Sequence, residues 1–294
     1  MSKHAYLIMA HSSFSELQYL LSMIDDARND IFLHIDKKTN NVPMNELTNS
    51  VHHSRLFFTP RLNVVWGGSS QIDCEMLLFS EAARVSHYDY YHLISGVDVP
   101  VKSQDYIHDY CQRYRGLNFI TSAQDGERGH DPAAIAMRYD QYHLLQNTLV
   151  GKKRNLAKYI DFASCYAQRA IGIHRGKNRV FHKSLNWVSL TDGCVRFLLS
   201  RQQDIRKTYR FTYCCDEVFI ISEIWGTPLE STLAPQGNLR FIEWKQYSKH
   251  DSSPRPIEMG DLTTLESPDI LFARKFVLPQ CAPVIDAVKR SWNN

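Results

Sequence analysis

Residues 6 to 35 constrain the fold more than any other stretch of this chain. Tyr6-Leu7-Ile8-Met9-Ala10 is a short, unbroken apolar run, the pattern of a strand buried on both faces. Asp30-Ile31-Phe32-Leu33-His34-Ile35 is a second such run. Between them, over Ser15 to Asp26, Leu17, Leu20, Leu21 and Ile24 recur at helical spacing, with Ser15 placed as the N-cap. Strand, helix, strand is the first unit of a parallel, doubly wound α/β sheet.

The pattern continues and then weakens. Leu56-Phe57-Phe58 reads as a further strand, Gln71 to Val85 as a helix, Tyr88 to Ile94 as a strand ending in Ser-Gly, and Leu117 to Ile120 as another strand. Farther on, Asn186 to Leu190 looks like a strand, with helices over Asp192 to Ser200 and Asp216 to Trp225. Ser248 to Pro256 is a Ser/Pro-rich loop. There is no internal repeat and no clear linker, so residues 1–294 are expected to form one α/β domain around a central, mostly parallel twisted sheet. A chain of 294 residues is long enough to bury a sizeable core.

Charge and composition remove several classes of function. A net charge of +3 is too small to point to nucleic acid. No apolar run reaches the roughly 20 residues that a membrane span needs. Met1 to Tyr6 runs straight into a strand and leaves no room for a secretory signal, so a cytoplasmic protein is expected. The seven cysteines are odd in number and scattered, as free buried thiols in a reducing compartment would be. From Lys152 to Lys183 nine Lys and Arg residues face a single acid, Asp161. The ordinary reading of such a stretch is a solvated face. The alternative is peripheral contact with an anionic membrane, at the inner face of the cell membrane, or with a charged glycan.

In open parallel sheets, ligands bind beyond the carboxyl ends of the strands. His11, Asp36 and Asp98 each sit just past an expected strand end. The chain has no phosphate-binding glycine loop, no zinc-protease helix, no nucleophile elbow and no Asp-x-Asp. Without paired carboxylates to hold a divalent ion, a diphosphate would need Arg or Lys as its counterion, and Arg274-Lys275 is the first candidate. No metal or other cofactor is expected. Asp216-Glu217 stands at the start of an expected helix, where acids are favoured by the dipole even without a catalytic role. Trp66, followed by Gly67 and Gly68, could stack on a base while the glycines admit close backbone approach. Trp187 and Trp244 could stack on a sugar. Each of these tryptophans is otherwise an ordinary core residue, and Asp98 is otherwise a turn-forming aspartate.

Taken in order, His34-Ile35-Asp36, Val65-Trp66-Gly67-Gly68-Ser69, Ser95-Gly96-Val97-Asp98-Val99-Pro100, Asp216-Glu217 and Phe272-Ala273-Arg274-Lys275-Phe276 resemble the core-2/I-branching N-acetylglucosaminyltransferases and the related peptide xylosyltransferases, glycosyltransferase family 14. The resemblance covers nearly the whole chain. It implies a GT-A-like fold and an inverting transferase that uses a UDP-sugar donor. UDP-N-acetylglucosamine, giving a β-1,6 branch on a glycan or lipid-linked saccharide of a bacterial surface polysaccharide, is the first choice. UDP-xylose is the second, and a non-catalytic glycan-binding protein on the same fold is the alternative class. The resemblance makes Glu217, in Asp216-Glu217-Val218-Phe219-Ile220-Ile221-Ser222, the catalytic base. It gives donor contacts to Lys275, Arg255, Trp66, Gly67 and Asp36, with His11 beside them, and places Asp98 near the sugar. Asp216, with Trp187 and Trp244 as stacking aromatics, completes the expected acceptor contacts. Cys215 and Ser222 stand where proline and threonine are usual. Arg274 is not fixed by the family pattern and is expected to matter less than Lys275.

Overall fold

The computed structural model describes residues 2–121, 132–152, 155–176, 179–244 and 253–292. Its centre is a five-stranded sheet in the order β3-β2-β1-β4-β6. The strands are β1 (His4–Ala10), β2 (Asn29–Ile35), β3 (Arg55–Phe58), β4 (Tyr90–Ser95) and, after a three-residue β5 (Asp98–Pro100) that belongs elsewhere, β6 (Ser189–Thr191). β1 pairs in parallel with β2 and with β4, and β2 in parallel with β3, while β6 runs antiparallel to β4. The mixed α/β architecture with a mostly parallel sheet therefore agrees with the expectation. β2 and β4 are buried at every position, and β1 at all but one. Their unbroken apolar runs arise because helices cover both faces.

One face packs against the helix Phe14–Met23 and the helix Gln104–Arg113, through Leu17, Leu20, Leu21, Ile107 and Tyr110. The other packs against the helix Ser70–Val85 and, behind it, the helices Asp192–Ser200 and Phe219–Ile224. A second sheet of three strands, β5-β8-β7, joins β5 to β7 (Arg240–Ile242) and β8 (Phe272–Arg274). It has its own core of Val99, Val101, Ile257, Ala273 and Phe276 against the C-terminal helix Ala282–Ser291. β4 leads almost directly into β5 through Gly96, where an added Cβ would lie 3.0 Å from the Ala10 Cβ. Only glycine lets the second sheet start so close to the end of β1.

Several sequence expectations shift. The first helix begins at Phe14, and Ser13, in left-handed backbone, precedes it without a side-chain cap. Leu117 to Ile120 does not form a strand: Asn118 and Phe119 make isolated bridges to Leu233 and Ser189. The helix expected over Asp216 to Trp225 opens as a single 3-10 turn and becomes α-helical only at Phe219. Of the Ser/Pro-rich loop, residues 248–252 lie outside the described residues.

All seven cysteines are free and six are buried. In the basic stretch, Arg175 donates to the carbonyls of Thr208 and Arg210 at 2.9 and 2.8 Å, and Arg179 pairs with the buried Glu223 at 2.6 Å. These two are structural cations, not part of a solvated face. Lys153, Arg154 and Lys177 lie outside the described residues.

Candidate active site

The acid pair stands on a tight turn. Cys214 adopts left-handed backbone, and Cys215–Glu217 makes one 3-10 turn. The Trp66-Gly67 segment pins it from below: Cys214 N donates to Gly67 O at 2.8 Å. Gly67 has a φ of +70°, and a Cβ there would lie 3.0 Å from both Cys214 Sγ and Gln146 Nε2. A side chain would be both strained and crowded. Gly67, expected to let backbone approach a base, thus approaches the acid-pair turn. Gln71 completes the clamp, accepting from Gly67 N and donating through Nε2 to Asp216 Oδ2 at 2.9 Å.

Adjacent in sequence, the two acids have opposite settings. Asp216 is buried, and burial first, then the charge of Glu217, pushes its carboxyl well above the usual carboxylate range, with Arg138 opposing. Its Oδ2 also accepts from Asn186 Nδ2 at 3.4 Å. Expected at the acceptor, Asp216 is instead enclosed, because Gln71 and Asn186 cover it. The Glu217 side chain keeps 27% exposure, accepts from Arg138 Nη1 at 2.8 Å and lies 3.9 Å from Lys183 Nζ. Arg138, on the helix Pro132–Tyr139, also donates to Cys214 O at 2.9 Å, so one guanidinium fixes both the turn and the acid on it. One helical turn beyond Gln71, Glu75 is fully buried with neither oxygen hydrogen-bonded among the described residues. Burial, then Asp216, raises its carboxyl well above the ordinary range.

The cations gather where the small sheet meets the ends of β1 and β2. Arg274, closing β8, donates to Ser95 Oγ and to Asp98 Oδ1, the latter at 3.0 Å, and its guanidinium lies 5.0 Å over the Trp187 ring. Asp98 is buried and also accepts from Ser95 N at 2.7 Å. Its oxygens, expected at the acceptor, are engaged by its own turn and by Arg274. Asp36, past β2, accepts from Lys38 N at 2.8 Å and pairs with Lys38 Nζ at 3.4 Å. The His11 imidazole, past β1, is lowered first by desolvation; Asp36 opposes this, and Arg274, Lys38 and Lys152 add to it. His11, Asp36 and Arg274 therefore share one electrostatic neighbourhood.

Lys275 follows directly after the end of β8. Its backbone pairs with Arg255 O and Ile257 N, and among the described residues its Nζ has neither an ion-pair nor a hydrogen-bond partner. Arg255 lies alongside but buried, in a bidentate pair with Asp261 at 2.7 and 2.5 Å. Expected as a donor contact, Arg255 has its charge committed to Asp261, which caps the turn Met259–Asp261 by accepting from Glu258 N at 2.9 Å. Trp66 is 39% exposed with its ring edge-on to Tyr213, and Trp244 is 50% exposed two residues past β7. Both offer a face to a ligand, whereas Trp187 offers one to Arg274.

Asn186 and Trp187 join the two groups, one touching Asp216 and the other Arg274. Adjacent in sequence, these two residues link the acid-pair turn to the Arg274 cluster. Sequence reasoning missed Arg138, Gln71 and Glu75, which belong to no motif. It also set Arg274 aside, although its place directly beside Lys275 on an expected strand was a usable signal. Among the described residues, side chains able to bind a metal meet in two other places, His4 with His92 and Cys111, and His143 with Asp161 and Cys165. Both groups are buried and hydrogen-bonded internally, His4 to His92 at 3.1 Å and His143 to Asp161 at 2.8 Å, which accounts for them as structure.

Among known proteins, the family profile described as Core-2/I-Branching enzyme matches residues 4–266, a span that includes the acid pair and stops short of Arg274 and Lys275. A xylosyltransferase of Ciona intestinalis is 24% identical over 291 residues, covering 92% of this chain and 32% of that protein. Xylosyltransferase 2 of Mus musculus is 21% identical over 294 residues, covering 92% and 31%. The chain spans about a third of the length of these relatives. The apo structure of mouse xyloside xylosyltransferase 1 aligns over 95% of this chain and 99% of that one, with a TM-score of 0.42 and 10% identity, too distant to argue from. The profile match takes in most of the chain and all five strands of the central sheet: the chain belongs to the Core-2/I-Branching enzyme family of glycosyltransferases.

Proposed function

We propose that this protein transfers a sugar from a UDP-sugar to an acceptor hydroxyl in a single inverting displacement, with Glu217 as base. The observation that carries the reading is the partly exposed Glu217 carboxylate, fixed by Arg138 on the acid-pair turn, in a chain where Lys275 Nζ has no partner among the described residues. Glu217 takes the proton of the acceptor hydroxyl as that oxygen bonds to the anomeric carbon. The bond from that carbon to the diphosphate oxygen breaks, and its electron pair leaves with UDP. Lys275, helped by Arg274, meets the negative charge that develops there, the task a divalent ion performs in other transferases. The reaction therefore proceeds without an added metal, and excess chelator leaves the rate unchanged.

UDP-N-acetylglucosamine, forming a β-1,6 branch on a surface glycan, is the first donor we propose, in line with the family description. The xylosyltransferase names of the curated relatives favour UDP-xylose as the second. Thermal shift with each donor separates them, since a ligand that binds only the folded state raises its melting temperature. The transferred sugar should then show a β anomeric configuration by proton NMR. Retention of the donor's α configuration would overturn the single displacement.

A further inference from the structure

The helix Leu156–Ala170 is built inside out. Its inward positions carry Asp161, Cys165 and Gln168, all buried. Each is satisfied there. Asp161 holds His143 Nδ1 at 2.8 Å and accepts from Leu145 N at 2.9 Å, Cys165 Sγ lies 3.6 Å from His143 Nδ1, and Gln168 accepts from Tyr142 N at 2.8 Å while donating to Tyr142 O at 3.0 Å. The outward positions carry Leu156, Tyr159, Ile160 and Tyr166, exposed to 73, 67, 52 and 63%. Ile171, just past the end, is 77% exposed. A helix that faces only water shows the reverse order, apolar inward and polar outward. Since the inward polar groups have their partners, the apolar stripe has been left outside a completed fold, and such a patch marks an interaction surface.

Charge selects what covers it. Asp161, the sole acid between Lys152 and Lys183, is buried against His143. Lys152 and Arg169 are exposed at either end of the stripe, and Lys153, Arg154 and Lys177 flank it in sequence. A second copy docked by the same face would bring the exposed Lys152 and Arg169 against like charges. An anionic bilayer accommodates every part: leucine and isoleucine at the acyl boundary, tyrosine at the interface, lysine and arginine among the headgroups. We propose that Leu156–Ala170 is a membrane-docking helix that lies in the plane of an anionic lipid surface. This holds whether or not the transferase reading does.

The test is co-sedimentation of the full chain with vesicles of phosphatidylcholine alone and of phosphatidylcholine mixed equally with phosphatidylglycerol. Binding should favour the anionic vesicles by at least about tenfold and weaken as salt is raised. The double substitution Tyr159→Ser with Ile160→Ser should lower it by about tenfold. An unchanged urea midpoint checks that the fold is intact. Lys152→Gln with Arg169→Gln, which leaves the apolar stripe in place, should reduce the preference for anionic over neutral vesicles. Equal partition onto both vesicles overturns the proposal, as does binding insensitive to either double substitution. A dimer that the serine variant dissociates, without vesicle binding by the unaltered chain, would assign the surface to a second copy instead.

Discussion

Glu217 and Arg274 each pair closely with an opposite charge, Arg138 at 2.8 Å and Asp98 at 3.0 Å, with Lys183 farther from Glu217 at 3.9 Å, yet their settings differ. Around Glu217 the clamp is complete: Arg138 holds the acid and the Cys214 carbonyl, Gln71 holds Asp216, and Gly67 backs the turn. Around Arg274 the pairing is local, while Lys275, one residue on, has no side-chain partner among the described residues. A base must be aimed before substrate arrives, because a misplaced proton acceptor loses the reaction. A counterion for a diphosphate needs spare capacity, because its partner comes with the substrate. Under the proposed mechanism, the acid end is therefore preorganised and the cation end partly open.

Arg255 tests that division most severely. If its charge belongs to Asp261, Arg255→Ala leaves a buried, unpaired carboxylate and should cost about 3–5 kcal/mol in denaturant unfolding. A variant of unaltered stability with weakened UDP affinity would return Arg255 to the donor site. Lys275→Ala comes next. It should lower the transfer rate by about 10²-fold and weaken UDP binding as well, as expected for a fixed cation that acts more strongly on the transition state. Arg274→Ala, already engaged with Asp98, should cost only about tenfold, and a loss equal to that of Lys275→Ala would erase the contrast between a committed and an open cation.

The smallest effect concerns Glu75. Its folded-state pKa is raised above the ordinary glutamate value of 4.5, so folding favours the protonated form. The stability this contributes is present below that pH and is lost as pH rises above it. Glu75→Gln should therefore stabilise the protein at pH 8, by about 1 kcal/mol, and leave pH 4 nearly unchanged. Asp216, also raised, keeps part of the slope in the variant. A steeper fall in stability with pH for Glu75→Gln would mean that Glu75 is ionised in the fold.

The sheet was legible because its strands are local runs: Tyr6 to Ala10, Asp30 to Ile35 and Tyr88 to Ile94 state their burial in consecutive residues, the last forming a strand from Tyr90. Asp216-Glu217 and Lys275 were singled out through motif, and their roles rest on the proposed mechanism. Asn118 and Phe119 were misread because an apolar run bounded by turns does not reveal whether its neighbours offer a full ladder or one bridge each. Arg138, Gln71 and Asn186 were invisible for another reason. They act on an acid pair that lies 78, 145 and 30 residues away in the chain, counted to Asp216 for the first, and no local pattern encodes such a meeting. For Arg255 and Asp98 the sequence shows a charge without showing the opposite charge paired with it, Asp261 and Arg274.

The most direct measurement is the steady-state transfer rate of Glu217→Gln beside UDP affinity by calorimetry. The substitution preserves shape and removes the proton acceptor. Transfer should fall by roughly 10²-fold or more, with UDP affinity barely altered. Near-unchanged turnover by the purified variant would remove Glu217 from the mechanism and contradict the account.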